Sequence, residues 1–229
     1  MHVPTYEGSG QTVEPDIVYR AHGWHGWEYW MVVNPYPNGN AAFENPSIIV
    51  SHDGQRWAVP PGVVNPVVPR DAPNSDPDLS YDPVGQRLVL FYRQVREGDN
   101  VITVTMSRDG VRWSAPRVAF RERNHHAIGP STVLRAGHRP RMWYIDAGAL
   151  GCRSLATTLK LRVATHLTVP GIAATDAPVR RISSSSSRPA PRPRSHTSRR
   201  WDAALVVNTR RSAPFESTSQ ARPNSNTAA

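Results

Sequence analysis

Two acidic triplets built around a proline stand far apart in the chain, Glu14-Pro15-Asp16 and Asp76-Pro77-Asp78. Carboxyl groups do acid–base chemistry when a fold brings them together and their surroundings split their pKa values. Glu44, within Phe43-Glu44-Asn45-Pro46-Ser47, is a third acid, two residues before a proline. Glu14, Asp16, Asp76 and Asp78 are therefore candidate site residues, with Glu44 a further candidate acid; Asp16 and Asp78 are candidate substrate-binding groups. Trp24, Trp27 and Trp30 offer aromatic faces of the kind that receive sugar C–H edges, so Trp24 and Trp30 join the binding set. Strand alternation puts Trp27, Tyr29 and Met31 on one face and Glu28, Trp30 and Val32 on the other, so some of these rings must be core. His126, of the pair His125-His126, is a further candidate for touching a sugar. The alternatives are structural. Glu14 and Asp16 would neutralise a strand opening, Asp76 and Asp78 would hold arginine side chains or a structural calcium ion, and Glu44 would hold its loop through Asn45.

Other chemistry is missing from the pattern. One cysteine, Cys152, excludes an intrachain disulfide and a cysteine-based zinc site. There is no nucleotide-binding glycine loop, no His-x-x-x-His pair and no G-x-S-x-G elbow, so no cofactor and no metal site are expected. No run approaches the roughly 18 apolar residues of a membrane span, and Met1–Asp16 lacks the basic and apolar stretches of a signal peptide.

The elements that must position the acids come from a repeat. Glu14–Arg20, Asp76–Tyr81 and Gly129–Arg135 are short β-prone runs opened by a proline, a residue tolerated at a strand's start. Each leads to an aromatic-rich run (Trp27–Val33, Arg87–Arg93, Arg141–Asp146) and then to a β-branched one (Pro46–Val50, Val101–Thr105, Leu159–Thr165). Two of the units continue into S-x-D-G-x-x-W, at Ser51–Trp57 and Ser107–Trp113. In such a hairpin the Asp side chain accepts backbone N–H bonds, Gly takes positive φ, and Trp folds back over the turn. A strand after each Trp gives four per unit at a period of roughly 50–60 residues, which suits a propeller blade. No stretch before residue 165 has helical periodicity. The expected fold is all-β, an incomplete propeller of about three four-stranded blades (12–62, 74–118 and 126–165) within residues 1–165.

Beyond Thr165 the pattern stops in mid-unit. Residues 166–229 hold 10 Lys/Arg and 3 Asp/Glu, against 17 and 15 in residues 1–165, so the net charge of +9 belongs mainly to this run. Its serine-, proline- and arginine-rich composition predicts a disordered low-complexity tail. With 26 arginines to a single lysine, Lys160, the sequence points to GC-rich coding DNA, and a frameshift near His166 is one reading. A natural tail and a basic nucleic-acid arm are the others; nucleic acid is expected as a partner only through this run.

The two S-x-D-G-x-x-W turns resemble the Asp-box of sialidases and other propellers. Asp76–Asp82, running on into Gly85–Tyr92, resembles the second-blade motif of family 43 glycoside hydrolases, which are five-bladed propellers. That resemblance implies a five-bladed ancestor, a carbohydrate ligand and hydrolysis by carboxyl groups flanking the scissile bond. It places Glu14 where the family has its general base, as Glu in place of Asp, and Asp76 at the position that tunes the acid. The family's general acid, a Glu before Gly-Pro, is replaced by Ile128, which leaves Glu44 as a substitute. The wider pattern through Asn34-Pro35-Tyr36 and Glu44-Asn45-Pro46 resembles uncharacterised bacterial and phage propellers, which implies as an alternative a non-catalytic glycan-binding or virion-surface module.

Overall fold

A computed structural model describes residues 2–96, 99–121, 127–146 and 158–163. His126 and the basic run 166–229 lie outside the described residues. All described residues fall in one compact unit, Met1–Ile182.

Among the described residues, ten strands form three antiparallel sheets. The first sheet is β1 (Thr12–Trp24), β2 (Trp27–Pro35) and β3 (Ser47–Ser51); the second is β4 (Asn74–Asp82), β5 (Arg87–Arg96), β6 (Asp99–Ser107) and β7 (Arg117–Arg121). The third is β8 (Ala127–Val133), β9 (Arg141–Asp146) and β10 (Thr158–Val163). Each is a plain meander, as expected when neighbouring strands are joined by short turns. The only helical pieces among the described residues are two single 3-10 turns, Pro37–Gly39 and Ala41–Phe43. No helix there is long and apolar enough to cross a membrane.

Among the described residues, only the second sheet has the four strands expected of every unit. In the first, the place of the fourth strand is a single bridge between Val50 and Ala58. The chain then meets Pro60-Pro61, and residues without an N–H cannot extend a ladder.

The sheets pack face to face, and β5 shows why. Its residues are buried on both sides, with Leu88, Leu90 and Tyr92 turned to one face and Val89 and Phe91 to the other. The first face meets Val18, Trp30, Val32, Ile48 and Val50 of the first sheet. The second belongs with Ile102, Met106 and Phe120 to a cluster that includes Met142 and Tyr144 of the third sheet. Full burial of such side chains contributes about 1.5–3 kcal/mol each, so these two layers dominate cohesion.

The Ser-x-Asp-Gly turns are built alike. Ser51 Oγ donates to Asp53 Oδ1 at 3.0 Å, and the same Asp oxygen accepts the amides of Gln55 and Arg56 at 2.8 Å. Ser107 Oγ donates to Asp109 Oδ1 at 3.0 Å, and that oxygen accepts Val111 N at 2.8 Å and Arg112 N at 2.7 Å. Glycine is required at Gly110 twice over: its φ is 75°, and a Cβ would stand 2.1 Å from Trp30 Cη2. Trp30 is thereby sealed into the layer between the first two sheets.

Candidate functional site

The innermost strands β1, β4 and β8 share an irregularity at the same place in the repeat. Register shifts fall between Val13 and Asp16, between Ser75 and Asp78, and between Ile128 and Ser131. At these bulges Glu14, Asp76 and Gly129 take φ of 55°, 51° and 55°. The left-handed region costs an L-residue roughly 1–2 kcal/mol, and only the third unit avoids that cost by using glycine. Bulges re-aim side chains, and strained backbone of this kind concentrates at functional sites. Glu14→Gly is accordingly expected to be more stable than Glu14→Ala by about 1 kcal/mol, the reverse of the usual order in a strand. Urea unfolding of the two variants measures the difference, and equal stabilities would show that the bulge relaxes.

The bulges turn acids from two sheets onto one another. Glu14 Oε2 accepts the backbone N–H of Asp76 at 2.8 Å and the Asn34 side-chain amide at 2.9 Å. Asp76 Oδ2 takes a 2.5 Å ion pair from Arg93 Nε. Burial, then the charge of Asp76, push Glu14 up to about 7, with Glu44 adding to the rise. Glu44 is also raised, by burial first; Arg93 opposes that rise and Asp76 reinforces it. Glu14, Asp76 and Glu44 thus form one electrostatic cluster with Arg93 as its counter-charge.

Beneath the acids lies a buried amide network. Asn34 donates to Asn74 O at 3.2 Å, Asn74 to Asn45 Oδ1 at 2.7 Å, and Gln94 to Asn74 Oδ1 at 3.0 Å. Asn74 N also donates to Glu44 O at 3.0 Å, which ties the Glu44 loop to β4. Arg93 and Gln94 escape sequence reasoning because they sit within a run that reads as an ordinary strand. Asn34 and Asn45 carried a faint signal, each standing directly before a proline.

Asp16 and Asp78 are placed differently. Asp16 Oδ2 accepts Leu79 N from β4 at 2.7 Å, and Asp78 Oδ1 accepts Thr132 N from β8 at 3.0 Å. Leu79 and Thr132 are equivalent in the repeat, so each aspartate clamps its own innermost strand to the next. Burial is the main cause that raises Asp16, and it pushes Asp78 to about 7.

The tryptophans correct an expectation. Trp30 is 1% exposed and its Nε1 donates to Trp24 O at 3.1 Å, so it is core and offers no face to a sugar. Trp24 ends β1, ten residues from Glu14. At about 3.3 Å per residue that is the far end of the strand, where the ring packs edge-on against Trp30 and Tyr81. Alternation sends side chains to a face, but only the position along the strand decides which rim they reach. Trp27 stacks on His52 at 4.2 Å. Among the described residues no group of three or more His, Cys, Asp or Glu is placed to hold a metal ion.

No family model matches the chain. A segment of 114 residues, 46% of the chain, is 32% identical to an A type blood N-acetyl-alpha-D-galactosamine deacetylase of Flavonifractor plautii, of which it spans 15%. In three dimensions 67% of the chain matches half of an N-acetylgalactosamine deacetylase from F. plautii, with a TM-score of 0.63 and 22% identity. An endo-arabinase from Bacteroides thetaiotaomicron matches 71% of the chain with 61% of its own, at a TM-score of 0.53 and 14% identity. An endo-1,4-beta-xylanase from the same organism matches 73% with 54%, at 0.52 and 14%. The fold is propeller-like. The chain spans about half the length of these solved structures.

Proposed function

We propose that the chain is an arc of a five-bladed propeller whose carboxyl cluster hydrolyses glycosidic bonds in a polysaccharide or glycoside. The observation that carries this reading is the meeting of Glu14 and Asp76 across two sheets, with a proton held at Glu14 up to about pH 7. Carboxyls gathered in one desolvated site, one of them holding its proton near neutrality, are what glycoside hydrolysis needs. Glu14 is the group poised to hold a proton, so it serves as the acid; the resemblance to family 43 implied the base. The physical reason is that Glu14 is both desolvated and adjacent to the Asp76 carboxylate that Arg93 pairs. Glu14 gives its proton to the leaving oxygen as the C–O bond breaks. Water forms the new bond to the anomeric carbon and its proton passes to Glu44. Asp76 and Arg93 set the charge of the cluster.

A second reading has one observation in its favour: the relative of 32% identity is a deacetylase. In that reading the same acids serve hydrolysis of an N-acetyl group on a sugar. Product analysis separates the two. Incubation with arabinan, xylan and N-acetylated glycans should release reducing ends without acetate; acetate release alone selects the second reading. Binding of these glycans with neither product identifies a non-catalytic binding module and overturns both.

A further inference from the structure

The β8–β9 turn gathers arginines where the β4–β5 turn pairs opposite charges. In the second sheet Asp82 stands opposite Arg87, and Arg87 Nε donates to Asp82 Oδ2 at 2.9 Å. Counted from the equivalent pairs Leu79–Leu90 and Thr132–Met142, Val133 opposite Arg141 stands where the second sheet has Ser80 opposite Val89, and the residue at the place of Asp82 is Arg135. The carboxylate has become a guanidinium. A cleft of about 340 Å³ is lined by Val133, Arg135, His138, Arg139, Arg141 and Trp143. Among the described residues no acidic side chain lines it and the three arginines make no ion pair. Its size lies at the lower end of the roughly 300–1,000 Å³ usual for small-molecule sites.

Three guanidiniums around one concavity repel each other, and an anion between them removes that repulsion. Their planar forks match a carboxylate or sulfate through paired hydrogen bonds, and the half-buried Trp143 supplies an aromatic wall of the kind sugar rings rest on. The turn lies at the end of the innermost strand away from the bulge, so the cleft is separate from the carboxyl cluster. We propose that this cleft binds an acidic sugar residue of a glycan, a uronate or a sulfated unit. That a sugar carries the anion rests on the proposed function; that the cleft takes an anion rests on its charges alone.

The test is affinity electrophoresis of the full chain, at low salt, in gels containing polygalacturonate, chondroitin sulfate, neutral galactan or single-stranded DNA. Retardation by at least one acidic glycan and not by galactan is expected, and which of the two retards names the anion. Val133→Asp sets a carboxylate directly opposite Arg141 and should weaken that retention by about tenfold or more. The exposed double variant Arg135→Gln/Arg139→Gln should do the same should Val133→Asp fail to fold. Glu14→Gln should bind as the parent does, so loss of hydrolysis and loss of anion binding are read separately. Equal retention of the parent and the double variant would place the binding in the basic run after residue 165 and overturn the proposal. So would DNA retention as strong as that by the acidic glycans, or no retention at all.

Discussion

Glu14→Gln is expected to lower kcat for glycoside hydrolysis by roughly 10²–10⁴-fold, the usual contribution of a positioned proton donor. Glutamine keeps the length of the side chain and an oxygen to accept the Asp76 and Asn34 hydrogen bonds, so the fold should survive. What it loses is the proton. The same group sets the pH dependence. Glu14 is pushed up to about 7, so the active protonated form is present at lower pH and disappears as pH rises through that value. The rate should therefore fall across neutrality, with the apparent pKa belonging to the cluster as a whole because its members interact. Steady-state rates measured between about pH 5 and 9 check this. A limb that rises through pH 7 reassigns Glu14 as the base, and a Glu14→Gln variant with parental activity removes it from the chemistry.

The second large effect is on stability. Asp78 is 6% exposed; one of its oxygens accepts Thr132 N and the other, Oδ2, is buried without a hydrogen-bond partner. Burial, reinforced by the neighbouring Asp16, places it at about 7 against an ordinary value of 3.8. A carboxyl that holds its proton more tightly when folded stabilises the fold at low pH. That contribution is complete below about pH 4 and is lost as pH rises through about 7. Glu14 and Asp16 are raised as well and act with the same sign. Asp78→Asn keeps an oxygen for Thr132 N and never charges. It should match the parent near pH 4 and exceed it above pH 8 by on the order of 2–4 kcal/mol. Thermal unfolding of both proteins across that range measures the difference. Equal Tm values in alkali would mean that the ionised carboxylate finds water or a cation at no cost.

These two effects separate residues that look identical in the chain. Asp76 and Asp78 flank one proline, yet one pairs with Arg93 at the cluster and the other clamps β4 to β8. Two residues along a strand point to the same face in a regular ladder, but the bulge between Ser75 and Asp78 breaks that rule. The same bulge in β1 separates Glu14 from Asp16. Nothing in residue type marks which member of the triplet will reach a neighbour's backbone.

Local patterns carried the rest of the architecture. Apolar alternation and β-branched runs marked the strands, with Arg141–Asp146 reproduced to the residue as β9. Ser-x-Asp-Gly marked two turns because its hydrogen bonds are made within four or five residues. The proline-headed repeat identified Glu14 and Asp76 as partners across a long stretch of chain, since equivalent strands occupy equivalent places in a repeated fold. All of these depend on interactions between residues close in sequence or related by the repeat.

Packing between sheets decided the remainder. It turned Trp30 from a candidate binding surface into core, carried Trp24 to the opposite rim, and recruited Arg93 and the Asn34–Asn74–Gln94 network under the acids. It also gathered Arg135, Arg139 and Arg141 around one cleft. Residue type and spacing determine which elements form and which way their faces point. Burial, counter-charge and proton affinity arise from groups that meet only when separate sheets close on one another, so the tertiary structure alone assigned them.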